Sequence, residues 1–154
     1  RAAIYFKKGT AFSSYQGEFP FQMSQIKGSF LTFDPLIHSQ NNSIKTKMVF
    51  INIHSSKLLE KKLFTLNVAN SLTKELFLSK EYVHNSSCTV DIKPLDNEEV
   101  CFYSKNTLGI PIFISYDNKG YLSVEHNHPP SEYFFNNKIK GQKILKEKWF
   151  SQLP

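Results

Sequence analysis

A chain of 154 residues, 40% hydrophobic and 21% charged, can bury about two-thirds of its extended surface, so its core needs neither disulfide nor metal. That composition excludes a disordered or collagen-like chain. The net charge is +6, yet Arg1 is the only arginine; lacking guanidinium forks for base edges and phosphates, the chain is disfavoured as a sequence-specific nucleic-acid binder, though diffuse attraction to acidic surfaces remains.

The sequence opens Arg1-Ala2-Ala3-Ile4 rather than with methionine. Removal of a signal peptide or lipoprotein anchor would leave such a start, as would truncation, and an envelope, periplasmic or secreted location is favoured over a cytoplasmic one. No apolar run approaches the roughly 18 residues of a membrane span.

Short aromatic-rich segments at Ile4 to Lys7, Ala11 to Gln16, Phe21 to Gln25 and Ser29 to Phe33 read as weaker strands, separated by Gly9, Gly17, Pro20 and Gly28. Clearer period-two alternation follows at Thr46 to His54, Lys62 to Ala69, Ser87 to Lys93, Val100 to Ser104, Ile110 to Tyr116 and Gly120 to Glu125. In the second of these, Phe64, Leu66 and Val68 share a core face while Thr65 and Asn67 face water. Asp117-Asn118-Lys119-Gly120 predicts a tight hairpin turn in which Gly120 takes positive φ. Pro111 cannot donate to a ladder, which points to an edge strand or a bulge.

From Ser131 to Leu153 the pattern changes. Ile144, Leu145 and Trp149 recur at helical spacing, with Lys140, Lys143, Lys146 and Lys148 on or beside the opposite face, so a helix of about three turns starts near Ile139. The expected fold is all-β, mainly antiparallel: a β-sandwich of roughly eight to ten short strands in a single domain spanning 1–154, with a C-terminal α-helix in 131–153.

One segment has a chemical look, Glu125-His126-Asn127-His128-Pro129-Pro130-Ser131-Glu132. Residues two apart on an extended chain point the same way, so His126 and His128 could face one metal, with Glu125, Glu132 or a distant aspartate completing the set. The stretch His126-Asn127-His128-Pro129 resembles the start of the His-x-His-Pro signature of the JAB/MPN metallo-isopeptidases, a match of three residues. The resemblance implies a zinc-dependent hydrolase. The family's Ser-x-x-Asp block is not matched after Pro130, where the chain reads Ser131-Glu132-Tyr133-Phe134, and strands stand where the family has helices. The alternative reading is structural: both histidines end a strand and the prolines force an extended exit.

No nucleophile elbow or phosphate-cradling loop is present. Cys88 and Cys101 fall in segments that could be hairpin neighbours across Pro94 to Glu98, which brings a disulfide within reach; two small buried thiols are the alternative. Aromatics gather at both ends, including Tyr5, Phe12, Tyr133, Phe134, Phe135 and Trp149. A sandwich core consumes such residues, but adjacent Phe134 and Phe135 cannot both face one core, so Tyr133, Phe134, Phe135 and Trp149 are candidate contacts for a ligand, a partner or a second copy of the chain.

These observations favour a non-catalytic binding or structural module, from a bacterial envelope or secreted protein, with a protein or glycan partner and no cofactor. The rivals are a metal-dependent hydrolase built on His126 and His128, with zinc, and a carbohydrate-binding module using exposed aromatics.

Overall fold

The computed structural model describes residues 2–17, 29–33, 43–52, 63–92, 99–107, 109–126 and 140–154. Its strands are β1 (Ala2–Lys8), β2 (Ala11–Gly17), β3 (Phe30–Phe33), β4 (Lys45–Ile51), β5 (Leu63–Asn70), β6 (Leu76–Val83), β7 (Ser87–Ile92), β8 (Val100–Ser104), β9 (Ile110–Tyr116) and β10 (Leu122–His126), followed by helix α1 (Lys140–Ser151). The strands pair antiparallel throughout. Two four-stranded sheets run β10-β9-β4-β7 and β3-β8-β5-β6, and β1 with β2 forms a separate hairpin. The all-β, mainly antiparallel architecture with a C-terminal helix is the one the alternation implied. The strand expected at Phe21 to Gln25 lies outside the described residues.

Strict alternation explains why the two sheets face each other. On β4, Met48 and Phe50 are buried while Lys47 and Val49 are half-buried; on β5, Phe64, Leu66 and Val68 are buried between half-buried Thr65 and Asn67. The inward rows of both sheets meet in one core that also holds Phe30, Phe102 and Phe113. Its rings pack off-parallel, Phe30 and Phe50 with centroids 4.6 Å apart and Phe102 edge-on to Phe113 at 5.8 Å, the arrangement that aromatic quadrupoles favour.

Both outer faces are covered too. On the first sheet, Phe6 of β1 packs with Ile110, Ile112, Ile114 and Val124. Lys8 fastens this hairpin, donating to the Asp117 carbonyl at 2.7 Å with its ammonium 4.1 Å from the Tyr116 ring centroid. On the second sheet, Trp149, Phe150 and Leu153 pack on Leu31, Ala69, Cys101 and Tyr103. Ile144, expected to share the apolar helix face with Trp149, is 59% exposed. Five residues on a helix rotate by about 140°, so the two cannot dock on one surface.

Local expectations are met or corrected residue by residue. In the β9–β10 turn, Asp117 Oδ1 accepts from the amides of Lys119 and Tyr121, each at 2.8 Å, and Gly120 takes φ 103°. Pro111 is not on an edge strand, because β9 lies between β10 and β4. The proline is tolerated since β10 ends at His126, opposite Ile112, one residue short of it.

At one end of the sandwich fully buried Asn52 ties the β6-to-β7 and β8-to-β9 crossings between the sheets to the end of β4. Its Nδ2 donates to Thr107 Oγ1 at 2.7 Å; its Oδ1 accepts from the Asn85 amide at 3.2 Å and lies 3.1 Å from His84 Nδ1. The Asn52 amide donates to the Ser86 carbonyl at 3.0 Å. Gly109 passes so close that an added Cβ would stand 2.7 Å from the Ile51 carbonyl oxygen and against the Phe50 ring, so no larger residue fits without moving backbone.

Candidate functional site

Of the sequence candidates, Glu125, His126, Trp149, Cys88 and Cys101 are among the described residues, and these do not assemble into one site. His126 ends β10 opposite Ile112, on the outer face of its sheet, half-buried; Glu125, one residue earlier, lies opposite Phe113 and is exposed. Consecutive strand residues point to opposite faces, so these two side chains stand on different faces of β10. The Glu125 carboxylate instead accepts from Ser123 Oγ at 3.2 Å. His128, Glu132, Tyr133, Phe134 and Phe135 lie outside the described residues. Among the described residues no three His, Cys, Asp or Glu side chains converge as a metal site. Trp149 is half-buried against the outer-face cluster under the last turn of α1, which gives it a packing role within the chain.

Cys88 and Cys101 are both free and buried. The hairpin that would have joined them does not form, because β7 pairs with β4 while β8 pairs with β3 and β5 in the other sheet. Cys88 belongs to the inter-sheet core and Cys101 to the outer face beneath Trp149. Burial pushes the Cys88 thiol up to about 11, against an opposing pull from the nearby Lys80 ammonium, and raises the Cys101 thiol as well. Protonated, enclosed thiols are poor nucleophiles and poor metal ligands.

A concave feature among the described residues lies elsewhere, where β6 and β7, one edge strand from each sheet, run without pairing to each other. It is a groove of about 630 Å³, a volume in the range of small-molecule and peptide-anchor sites. Leu76, Phe77 and Leu78 form one wall, Val90 and Ile92 the other, and Val68, Val100 and Phe102 the floor. Of these, Val68, Ile92, Val100 and Phe102 are members of the main core, so the groove opens onto the sandwich interior. Two carboxylates lie beside it. Asp91 is engaged by Lys47 at 3.2 Å, a contact that raises the lysine pKa; Glu75 stands at the start of β6.

At the β6–β7 corner, held by Asn52, Tyr82 packs against the core with its ring 5.9 Å from Phe64. Burial and the adjacent Cys88 raise the Tyr82 phenol. The apolar lining of the groove lies farther from that corner, at the start of β6 and the end of β7. Lys80 sits between these regions: it pairs with core residue Leu66, so it is on the inner face, yet it is exposed, with its ammonium 5.3 Å from the Tyr82 ring centroid.

The sequence reading missed β6 altogether. Leu76-Phe77-Leu78 followed by Ser79-Lys80-Glu81 carries no period of two, and no Gly or Pro marks the preceding turn. Asn70 makes that turn instead, its Oδ1 accepting from the amides of Leu72 and Thr73 at 2.8 and 2.9 Å, and Lys74 takes the left-handed φ of 66°. The available signal was that asparagine ahead of a polar run.

A second surface feature is on the β1–β2 hairpin. Tyr5 and Phe12 are 66% and 62% exposed and stack with centroids 5.6 Å apart and planes 23° from parallel. Among the described residues no helix is long and apolar enough to cross a membrane. Compared with protein-family models, curated proteins and solved structures, the chain matches none.

Proposed function

We propose that this chain is a non-catalytic binding module whose ligand enters the groove between β6 and β7. The observation that carries this reading is an apolar concavity of about 630 Å³ continuous with the core, between two edge strands that pair with no further strand among the described residues. Apolar walls with few polar groups suit a partner that buries hydrophobic side chains, and the lining offers no nucleophile and no base of imidazole type. A protein partner therefore fits better than a glycan at this place.

A carbohydrate-binding reading is favoured by a different observation, the exposed Tyr5–Phe12 stack, since paired rings offer a platform to sugar C–H groups. One experiment separates the readings. Isotope-labelled protein is titrated with apolar peptides, with oligosaccharides and with zinc, and the perturbed amide signals are mapped. Shifts confined to β6, β7 and Val100 support the groove; shifts at Tyr5 and Phe12 with sugar replace it by the carbohydrate reading; stoichiometric zinc with shifts at His126 revives the hydrolase.

A further inference from the structure

We propose that the occupant of the groove is an extended segment of a partner protein that adds to β6 as a fifth strand and carries an acidic residue facing Lys80. This rests on the groove reading above and deepens it. An edge strand turns alternate main-chain N–H and C=O groups outward, and β6 is eight residues long with β5 as its only strand neighbour among the described residues. An exposed edge of that length is a template for strand addition. Leu76, Phe77 and Val83 are exposed along it, Phe77 at the bulge in the pairing with β5, and would give an incoming strand apolar pairs as well as main-chain bonds.

Lys80 sets the chemistry. Among the described residues no carboxylate pairs with it, and it projects from the inner face of β6, two residues along from groove-lining Leu78 and with its ammonium over Tyr82. A strand laid along β6 would cover the ammonium, and covering an unpaired charge is costly unless the newcomer supplies an opposite one. The incoming segment therefore alternates apolar side chains, which fill the groove beside Leu78 and Val90, with a carboxylate opposite Lys80. A second copy of the chain meets this demand poorly in the register that matches its exposed apolar residues. Antiparallel pairing of two β6 strands in the register that sets Phe77 opposite Val83 also sets Lys80 opposite Lys80, and like charges directly opposed are destabilising.

The test is selection of dodecapeptides from a random display library on the full 154-residue chain, followed by affinity measurement on Lys80→Glu and on Val90→Trp, which fills the groove. Phe77→Glu, at the exposed rim, replaces Val90→Trp if the latter lowers the melting temperature. Selected peptides should alternate apolar residues with one acidic position, and Lys80→Glu should weaken them about tenfold while reselecting lysine at that position. N-methylation of one alternate set of peptide amides should abolish binding and of the other set leave it intact. Peptides without an acidic position, or indifferent to N-methylation of either set, overturn strand addition while leaving the groove reading standing if groove filling still blocks them. No selected peptide, or peptides indifferent to groove filling, overturns both.

Discussion

Replacing Asn52 by alanine tests whether one buried amide holds the crossing end of the sandwich. The side chain makes three contacts there, to Thr107 Oγ1, the Asn85 amide and His84 Nδ1. At about 1 kcal/mol net for each buried hydrogen bond, the loss is about 3 kcal/mol. For a chain of this length that corresponds to a fall in Tm of roughly 6–12 °C. Urea unfolding followed by far-ultraviolet circular dichroism and by Trp149 fluorescence measures it, with an unchanged m-value showing that the native surface is retained. Asn52→Asp keeps the two acceptor contacts and should fall between wild type and alanine. Thr107→Val removes one contact, and because it shares that bond with Asn52 the double variant should be less than additive by about 1 kcal/mol. A loss below about 1 kcal/mol for Asn52→Ala, or strict additivity with Thr107→Val, refutes the network.

Three further outcomes follow from burial and charge. Leu66→Ala should cost about 2–4 kcal/mol by denaturant unfolding, against under about 1 kcal/mol for Thr65→Ala, whose contact to Asn106 uses only the main chain; equal losses would mean the strand register is wrong. Backbone amides of Tyr121, Lys119 and Gly120 hold the Asp117 carboxyl below its ordinary value, so its stabilising contribution is full above the unfolded carboxylate pKa and lost as pH falls through the lower folded value; melting curves from pH 6 to pH 2 should show a smaller acid loss for Asp117→Asn. With its thiol raised to about 11, Cys88 should resist alkylation at pH 8 in native protein and react on unfolding, and rapid native labelling would contradict its enclosure.

The parts of the fold that sequence could reveal are those where period and burial coincide. Phe64, Leu66 and Val68, the Asp117–Gly120 turn and the helix after Ile139 were all legible because a local rule decided them. Sheet membership was not legible. Cys88 and Cys101 lie in adjacent strands of the chain, yet β7 and β8 belong to different sheets, and so do the strands on either side of the Asn52 and Gly109 corner. The candidate site suffered most, because β6 is solvated on most of its positions and its inward lysine breaks the alternation. The residues that make it an open edge are the same ones that erase its pattern.

The changes of sheet have a consequence for biosynthesis. β4 is a central strand whose partners are β7 and β9, and its pairing with β9 joins Lys45 to Tyr116. Such separations put loop-closure entropy ahead of the contacts that repay it, the regime of millisecond-to-second folding rather than microsecond folding. On the ribosome, at about 5–20 residues per second, β4 emerges several seconds before the strand that completes it. During that interval Met48 and Phe50, fully buried in the finished molecule, belong to a strand open on both edges until β7 emerges and on one edge until β9 does. Yield in a cell should therefore depend on holdase chaperones and on translation speed between residues 52 and 110, more than on the stability of the completed fold.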